Sequence, residues 1–480
     1  MLAHVTTAAL SGIDALPVRV EVSLTSGLPA FTVVGLPQSE VREGRERVTA
    51  ALRHLGVSLP PRRITVNMAP ADVRKEGSGF DLPLAAVLLV AASRLPAARL
   101  RGWAFVGEVG LDGSVRSARG VLPRVLALRG DGVRGIVVPA ANAREALAVE
   151  GVRVQPVHSL AQVLEGFEED AWPPLPDAEG EAPPVLPDLA EVRGQHVARR
   201  ALEVAAAGGH GLLFVGPPGC GKTLLARRLP ALLPPLTTEQ ALEVTRIHSV
   251  AGLLPEGGGL IRCPPFRAPH HGVSAAGLVG GGRPLRPGEF SLAHRGVLFL
   301  DELAEFRRDA LEALRQPMEE ARVQLTRVHG TLRVPSAPLV VAAMNPCPCG
   351  HLGGEEGRCT CAPDRVARYR GRISGPLLDR FDLHVPLKPV PIGALDGPPG
   401  EGSSAVRARV LGAREVQRAR LNSESADTNA EMSIAALRRH VPVRPETAAL
   451  VQTAHARQQI TGAQLRRQSL GEQRLAGARR

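Results

Sequence analysis

The chain has 480 residues, 58 of them Lys or Arg against 47 Asp or Glu, for a formal charge of +11. That length exceeds what one core fills and predicts about three units; 44% hydrophobic and 22% charged residues exclude a disordered chain, and six cysteines exclude a disulfide-stapled small domain. The charge favours a polyanionic partner, because basic side chains that neutralise phosphates release counterions, although an Arg-rich composition accounts for it equally well.

The first thirty residues carry no basic-then-apolar leader. The longest apolar stretch, Leu82–Ala92, is broken by Pro83 and too short to span a bilayer, so a cytoplasmic protein with no membrane partner is expected. Residues 1–167 alternate β-type runs (Val18–Leu24, Arg63–Asn67, Gly135–Pro139) with helical patterns (Ser39–Leu55, Pro83–Ala92), which predicts an α/β domain. Residues 168–187 are acidic, Pro-rich and aperiodic, and read as a solvated linker. From Asp188, a helix (Gln195–Ala206), an apolar strand (Gly211–Val215), a glycine turn and a second helix predict a parallel nucleotide-binding sheet over 188–390. A second linker covers 391–404. Beyond it Ala405–Leu421, Ala430–His440 and Pro445–Gln459 space apolar residues by three and four, predicting a helical lid over 405–480.

Gly216-Pro217-Pro218-Gly219-Cys220-Gly221-Lys222-Thr223 fits G-x-x-x-x-G-K-[ST] between the strand and the helix that its mechanism requires. Main-chain N–H groups of such a loop wrap phosphates, Lys222 reaches the β- and γ-phosphates of ATP, and Thr223 ligates Mg²⁺. Lysine here has a physical reason in a chain with only three lysines, Lys75, Lys222 and Lys388, because a compact ammonium enters a phosphate pocket that a planar guanidinium does not. Val297–Leu300 is a wholly apolar strand ending in Asp301 and Glu302. Two adjacent acids at such a strand end are costly unless used, and the economical use is Asp301 for Mg²⁺ and Glu302 to polarise the attacking water. The next apolar run, Pro338–Met344, ends at Asn345, a candidate to orient that water. Arg380, in SGPLLDRFD, is a candidate arginine finger for a neighbouring subunit's ATP, with an ordinary surface arginine as the competing reading.

Cys347 and Cys349, then Cys359 and Cys361, give two thiol pairs separated by a glycine-rich loop. Four sulfurs suit tetrahedral Zn²⁺, free thiols being the alternative, and His351 is expected to stand by. His270 and His271 lie in a glycine-rich stretch. Neighbours in a strand point apart and no acidic partner follows, so a mobile insertion is expected there rather than a metal site. Residues 322–335 alternate and turn near His329-Gly330, predicting a hairpin from which Arg327 reaches nucleic-acid phosphate, or a merely solvated hairpin.

In order, GLPAFTVVGLP, VNMAPADVRKEGSGFDLPLA, VRGQ, AAAGGHGLLFVGPPGCGKT, PFRAPHH, PGEFSLAHRGVLFLDE, AAMNPCPCG and SGPLLDRFD closely resemble the bacterial ComM/YifB family, the magnesium-chelatase-like AAA+ ATPases, up to about residue 455. The resemblance implies an N-terminal Lon-protease-like (ribosomal S5 domain 2-like) α/β domain, a central AAA+ P-loop parallel α/β core and a C-terminal helical lid. It also implies a homohexameric ring, a helix-2 insertion at about 262–290, a pre-sensor-1 hairpin at 322–335, Gly194 and Gln195 beside the nucleotide, Asn345 as sensor 1 and Arg380 as the finger. Members linked to natural transformation are implied to be helicases acting on single-stranded or branched DNA; a chelatase- or chaperone-like motor remodelling a protein is the rival. Alignment with Lon places Gly79 at the nucleophile position and Leu122 at the lysine position, so no proteolysis is expected, and the nearby Ser78 and Lys75 are read as structural.

After Ala456 the family pattern continues into a helix opening Ser-Ala-Arg, whose Arg is sensor 2. This chain instead reads RQQITGAQLRRQSLGEQRLAGARR, with Arg466 and Arg467 as the nearest substitutes. The expectation is a truncated lid produced by a reading-frame change near residue 460, with ATP binding largely intact but hydrolysis and assembly impaired.

Overall fold

Val18, Val20 and Val22 alternate with Arg19, Glu21 and Ser23, so the strand Asp14–Thr25 buries one face and offers polar groups on the other. In the computed structural model of the protein this strand sits within a seven-stranded mixed sheet. The structure describes residues 2–440 and position 449, except 178–183, 283–284, 328–329, 354–357, 392, 394–395, 423 and 425. Chain contacts define two compact units: Met1–Pro183 with Thr238–Ile261 and Leu325–Val334, and Pro184–Thr237 with Arg262–Gln324 and Pro335–Arg480.

In the first unit the strand order is Ala30–Val34, Arg63–Ala69, Asp14–Thr25, Leu2–Ser11, Trp103–Phe105, Gly135–Pro139 and Arg153–Val157. Successive residues along a strand face opposite sides, so Ala9, Phe105 and Val137 feed one core, and Ala8, Ala104 and Ile136 the other. The helix Asp81–Ala91 is apolar all round and wholly buried. Its first residue, Asp81, receives two hydrogen bonds from Arg47, at 2.8 and 3.0 Å. Gly44 admits that carboxylate, because a Cβ there would lie 2.2 Å from Asp81 Oδ1.

Two parts of this unit depart from expectation. Trp172, inside the presumed solvated linker, stacks on Trp103 at 5.6 Å and meets Phe167 edge-on at 5.0 Å, so burial of the indole docks the linker's start. The helix Thr238–Ala251, expected in the nucleotide-binding region, belongs to the first unit. Its Ser249 donates to Glu145 at 2.7 Å, Gly120 N–H donates to the Ser249 carbonyl at 3.1 Å, and Gly257 N–H donates to the Ala141 carbonyl at 2.8 Å. Burial pushes the Glu145 carboxyl up, against hydrogen bonds from Ser249 and Asn142 that favour the carboxylate.

The second unit holds a five-stranded sheet in the order Phe266–Arg267, Val297–Leu300, Leu339–Met344, Leu212–Val215, Leu383–Pro386, every pair parallel. Its central strands are continuous apolar runs, as a parallel sheet covered on both faces requires. The helix His196–Gly208 ends at Gly209 in the left-handed region (φ +72°). Its last carbonyls are satisfied from the helix Ser403–Leu421: Arg414 donates to Ala206 O at 2.7 Å and Gln417 to Ala207 O at 2.9 Å. The next expected lid helix is split into a 3₁₀ turn, Asn429–Glu431, opened by a Thr428/Glu431 capping box, and the helix Ile434–His440. Apart from position 449, Pro445–Gln459, the departing tail, Arg466 and Arg467 lie outside the described residues, as does the side chain of Arg327 in the hairpin Arg322–Arg327 and Gly330–Pro335.

The insertion expected to be mobile is built of short elements: the helix Ala275–Val279, a two-residue pairing of Gly280–Gly281 with Arg286–Pro287, and the helix Glu289–Leu292. Buried Leu278, Phe290 and Leu292 supply its apolar anchor, and Arg267 grips Glu289 through two hydrogen bonds of 2.6 and 2.7 Å.

Candidate active site

The phosphate-loop sequence lies where the strand Leu212–Val215 hands over to the short helix Lys222–Ala226. Gly219 (φ +76°) and Gly221 (φ +91°) take the left-handed backbone that wraps such a loop, a conformation costly to other residues. Gly216 is hemmed in, since a Cβ there would lie 2.8 Å from Leu387 Cβ and 2.9 Å from Cys220 Sγ. Pro217, Pro218 and Cys220 complete the turn, with Cys220 buried and Pro218 exposed. Gln195 braces the loop from behind, donating at 2.9 Å to Cys220 O and at 2.8 Å to Lys388 O. Gly194, one residue earlier, closes on Val390, whose Cγ1 lies 3.2 Å from where a Cβ would be.

Three adjacent parallel strands end in polar groups that meet. Lys222 Nζ donates to Gly216 O at 2.7 Å, Pro217 O at 2.8 Å and Asn345 Oδ1 at 3.0 Å. Burial pulls the Lys222 ammonium below the ordinary lysine range, against the opposing charges of Asp301 and Glu302. Thr223 Oγ1 donates to Asp301 Oδ2 at 2.6 Å. Ligands about 2.1 Å from an octahedral Mg²⁺ lie about 3.0 Å apart along an edge, so these two oxygens need to separate by only about 0.4 Å to take adjacent positions on the ion. Sequence spacing therefore picked groups that the fold brings together: Lys222, Thr223, Asp301 and Asn345.

Glu302 has φ +54°, a left-handed backbone on a non-glycine residue, and such strain persists where the surroundings hold it. Its carboxylate Oε2 lies 3.1 Å from His271 Nδ1. The acidic partner thought missing for the histidine pair is thus Glu302. Nor do the two rings point apart; their centroids lie 4.1 Å from each other. The contact of His271 with this candidate residue was hidden in the sequence, because its partner is remote along the chain. Arg380, after the helix Gly375–Leu378, donates to Glu319 Oε2 at 2.8 Å, while its Nε is buried without a partner.

The four sulfurs of Cys347, Cys349, Cys359 and Cys361 lie within 4.8 Å of one another, the one cluster of metal-ligating side chains among the described residues. Zn–S bonds of about 2.3 Å set the sulfurs of a tetrahedral site about 3.8 Å apart. Cys347 to Cys359 is 3.8 Å, Cys349 to Cys359 3.7 Å and Cys347 to Cys349 3.4 Å, so the donor set fits zinc. In the first unit, a side chain at Gly79 would strike Arg124, whose Nη1 lies 2.5 Å from a Cβ built there. Lys75 is fully buried and donates to the Pro70 carbonyl.

Among the described residues no helix is long and apolar enough to cross a membrane. Residues 188–395 match the family described as magnesium chelatase, subunit ChlI; residues 20–142 match subunit ChlI of Mg-chelatase; residues 400–468 match the C-terminal region of that subunit, a match that runs past Ala456. The chain is 47% identical over 453 residues to an uncharacterized protein of Mycobacterium tuberculosis (92% of this chain, 88% of the relative). It is 43% identical over 430 residues to YifB of Escherichia coli (88% and 84%) and 42% identical over 439 residues to the competence protein ComM of Haemophilus influenzae (90% and 85%). A stretch of 121 residues, 25% of the chain, is 26% identical to Lon protease 2 of Bacillus subtilis. Matches of this length and identity, over a parallel sheet that gathers the phosphate-loop lysine and the acidic pair, mean that the chain belongs to the ComM/YifB family of magnesium-chelatase-like AAA+ ATPases.

Proposed function

We propose that the chain hydrolyses ATP in an Mg²⁺-dependent reaction as the subunit of a cytoplasmic homohexameric ring, and that it spends this turnover on moving single-stranded or branched DNA. The observation that carries the proposal is the meeting of Lys222 with Asn345 and of Thr223 with Asp301 at the ends of adjacent strands. ATP enters with its phosphates against the main chain of 216–223, and Lys222 turns from the Gly216 and Pro217 carbonyls to the γ-phosphate. Thr223 and Asp301 would hold Mg²⁺, which would supply positive charge beside the phosphates. Glu302 polarises the attacking water and accepts its proton, Asn345 orients that water, and Arg380 leaves Glu319 to serve a neighbouring subunit's nucleotide. The Cys347, Cys349, Cys359, Cys361 set holds zinc in a structural role. The N-terminal unit, with Gly79 and Leu122 where a peptidase needs Ser and Lys, takes no proteolytic part. The segment after Ala456 lacks the Ser-Ala-Arg start, and this departure slows hydrolysis and assembly.

The basic charge and the likeness to a competence protein favour DNA as the partner. Forked DNA is expected to raise ATP turnover several-fold, with the effect fading as salt rises. A rate indifferent to single-stranded and forked DNA, yet raised by a protein partner, would replace this role with chelatase-like remodelling of a protein. His271 positions Glu302 for its work. His271→Ala is therefore expected to lower kcat about tenfold with Mg·ATP affinity little changed. His271→Asn, whose amide donates from nearly the place of Nδ1, restores most of the rate; equal rates for both variants and wild type would remove His271 from the reaction.

A further inference from the structure

The cysteine cluster begins two residues after Asn345, whose carbonyl oxygen Oδ1 takes a hydrogen bond from Lys222. Between them Pro346 is buried, and its carbonyl accepts from Arg370 Nε at 3.1 Å. Arg370 ends the helix Pro363–Arg370, which starts at the second residue after Cys361. Cys347 is fully buried, so the chain from Asn345 into the cluster has little room to shift.

A second contact runs to the other half of the site. The cluster's first pair is closed by a tight turn in which Gly350 N–H donates to Cys347 O at 3.0 Å. Gly350 has φ +84°, and a Cβ on it would lie 2.5 Å from Pro218 Cδ and 2.9 Å from Pro218 Cγ. The turn therefore lies directly against the second proline of the phosphate loop, at a distance only glycine permits. Pro218 is exposed, so this contact lies on the solvent-facing side of the loop.

We propose that the four-cysteine centre, closed by zinc, is a clamp that positions the nucleotide site: through Cys347 it fixes Asn345, and through Gly350 it braces Pro218. The metal thus sets the shape of the phosphate loop without touching nucleotide, and losing it loosens the grip on Mg·ATP. Cys347 and Gly350 are positioning residues. The inference rests on the reading that residues 216–223 bind ATP, and its test separates the two.

Zinc content by atomic absorption and Mg·ATP affinity by titration with a fluorescent ATP analogue are measured on the full chain as wild type, after a zinc-selective chelator and dialysis, and as Cys359→Ser and Gly350→Ala. The wild type is expected to hold one zinc per chain, and both the stripped protein and Cys359→Ser to bind Mg·ATP about tenfold or more weakly with helical circular dichroism retained. Gly350→Ala keeps its zinc and still loses affinity, because the added methyl group pushes Pro218 aside; this result a general folding role for zinc does not produce. It also keeps the proposal open to refutation if Cys359→Ser fails to fold. Unchanged affinity in the stripped, folded protein and in Gly350→Ala overturns the clamp alone. A wild type that holds zinc but takes up no nucleotide overturns both readings, and a wild type that binds nucleotide tightly without zinc overturns the clamp.

Discussion

Replacing Lys222 with Ala is expected to weaken Mg·ATP binding at least about a hundredfold and to bring turnover to background. The ammonium lies among three acceptors in a partly buried pocket, two of them carbonyls of its own loop. Taking it away removes the only side-chain cation of that loop and leaves those acceptors facing a polyanion. Burial already disfavours its charge, so the group is poised to trade carbonyl partners for phosphate oxygens, which are charged and bind it more strongly. Lys222→Arg is not expected to rescue, because a planar guanidinium does not fit a pocket shaped around Gly216 and Cys220. The measurement is nucleotide titration beside phosphate release. Folding is expected to persist, since the loop's conformation rests on Gly219, Gly221 and the Gln195 brace.

Glu302→Gln separates chemistry from binding. The amide keeps size and polarity but no longer accepts a proton from water, so turnover is expected to fall by roughly 10²–10⁴-fold while Mg·ATP affinity is retained or improved. Asp301, which meets Thr223, is untouched by this change, so the residue proposed for the metal is retained. Single-turnover phosphate release and equilibrium titration on the same preparation read the two quantities. A Glu302→Gln chain that turns over at the wild-type rate would remove the general base from the reaction.

The parts of the candidate site that are legible in the sequence are those written in consecutive residues. A strand, a glycine loop and Lys222-Thr223 form one local unit, and Val297–Leu300 with Asp301 and Glu302 another, so pattern and chemistry coincide there. Asn345 was recognisable only by its place at the end of an apolar run. The contact of His271 with Glu302 was not legible, because alternation predicts rings on opposite sides of a strand, whereas the strand stops at Arg267 and the following backbone turns. The packing of Thr238–Ala251 onto the first unit was hidden for a related reason: its amphipathic pattern says that one face is buried but not against what, and Ser249 finds Glu145 across a long stretch of chain. Gly350 illustrates the same limit. A glycine in a cysteine turn reads as ordinary turn chemistry until Pro218 is seen beside it.

Equilibrium titration of the wild-type chain with Mg·ATP, run beside Lys222→Ala and Glu302→Gln, is the decisive measurement of nucleotide binding at the 216–223 loop. Saturable uptake of one nucleotide per chain is expected, lost in the first variant and surviving in the second. Wild-type uptake that is absent, or that Lys222→Ala leaves unaltered, would contradict ATP binding by that loop.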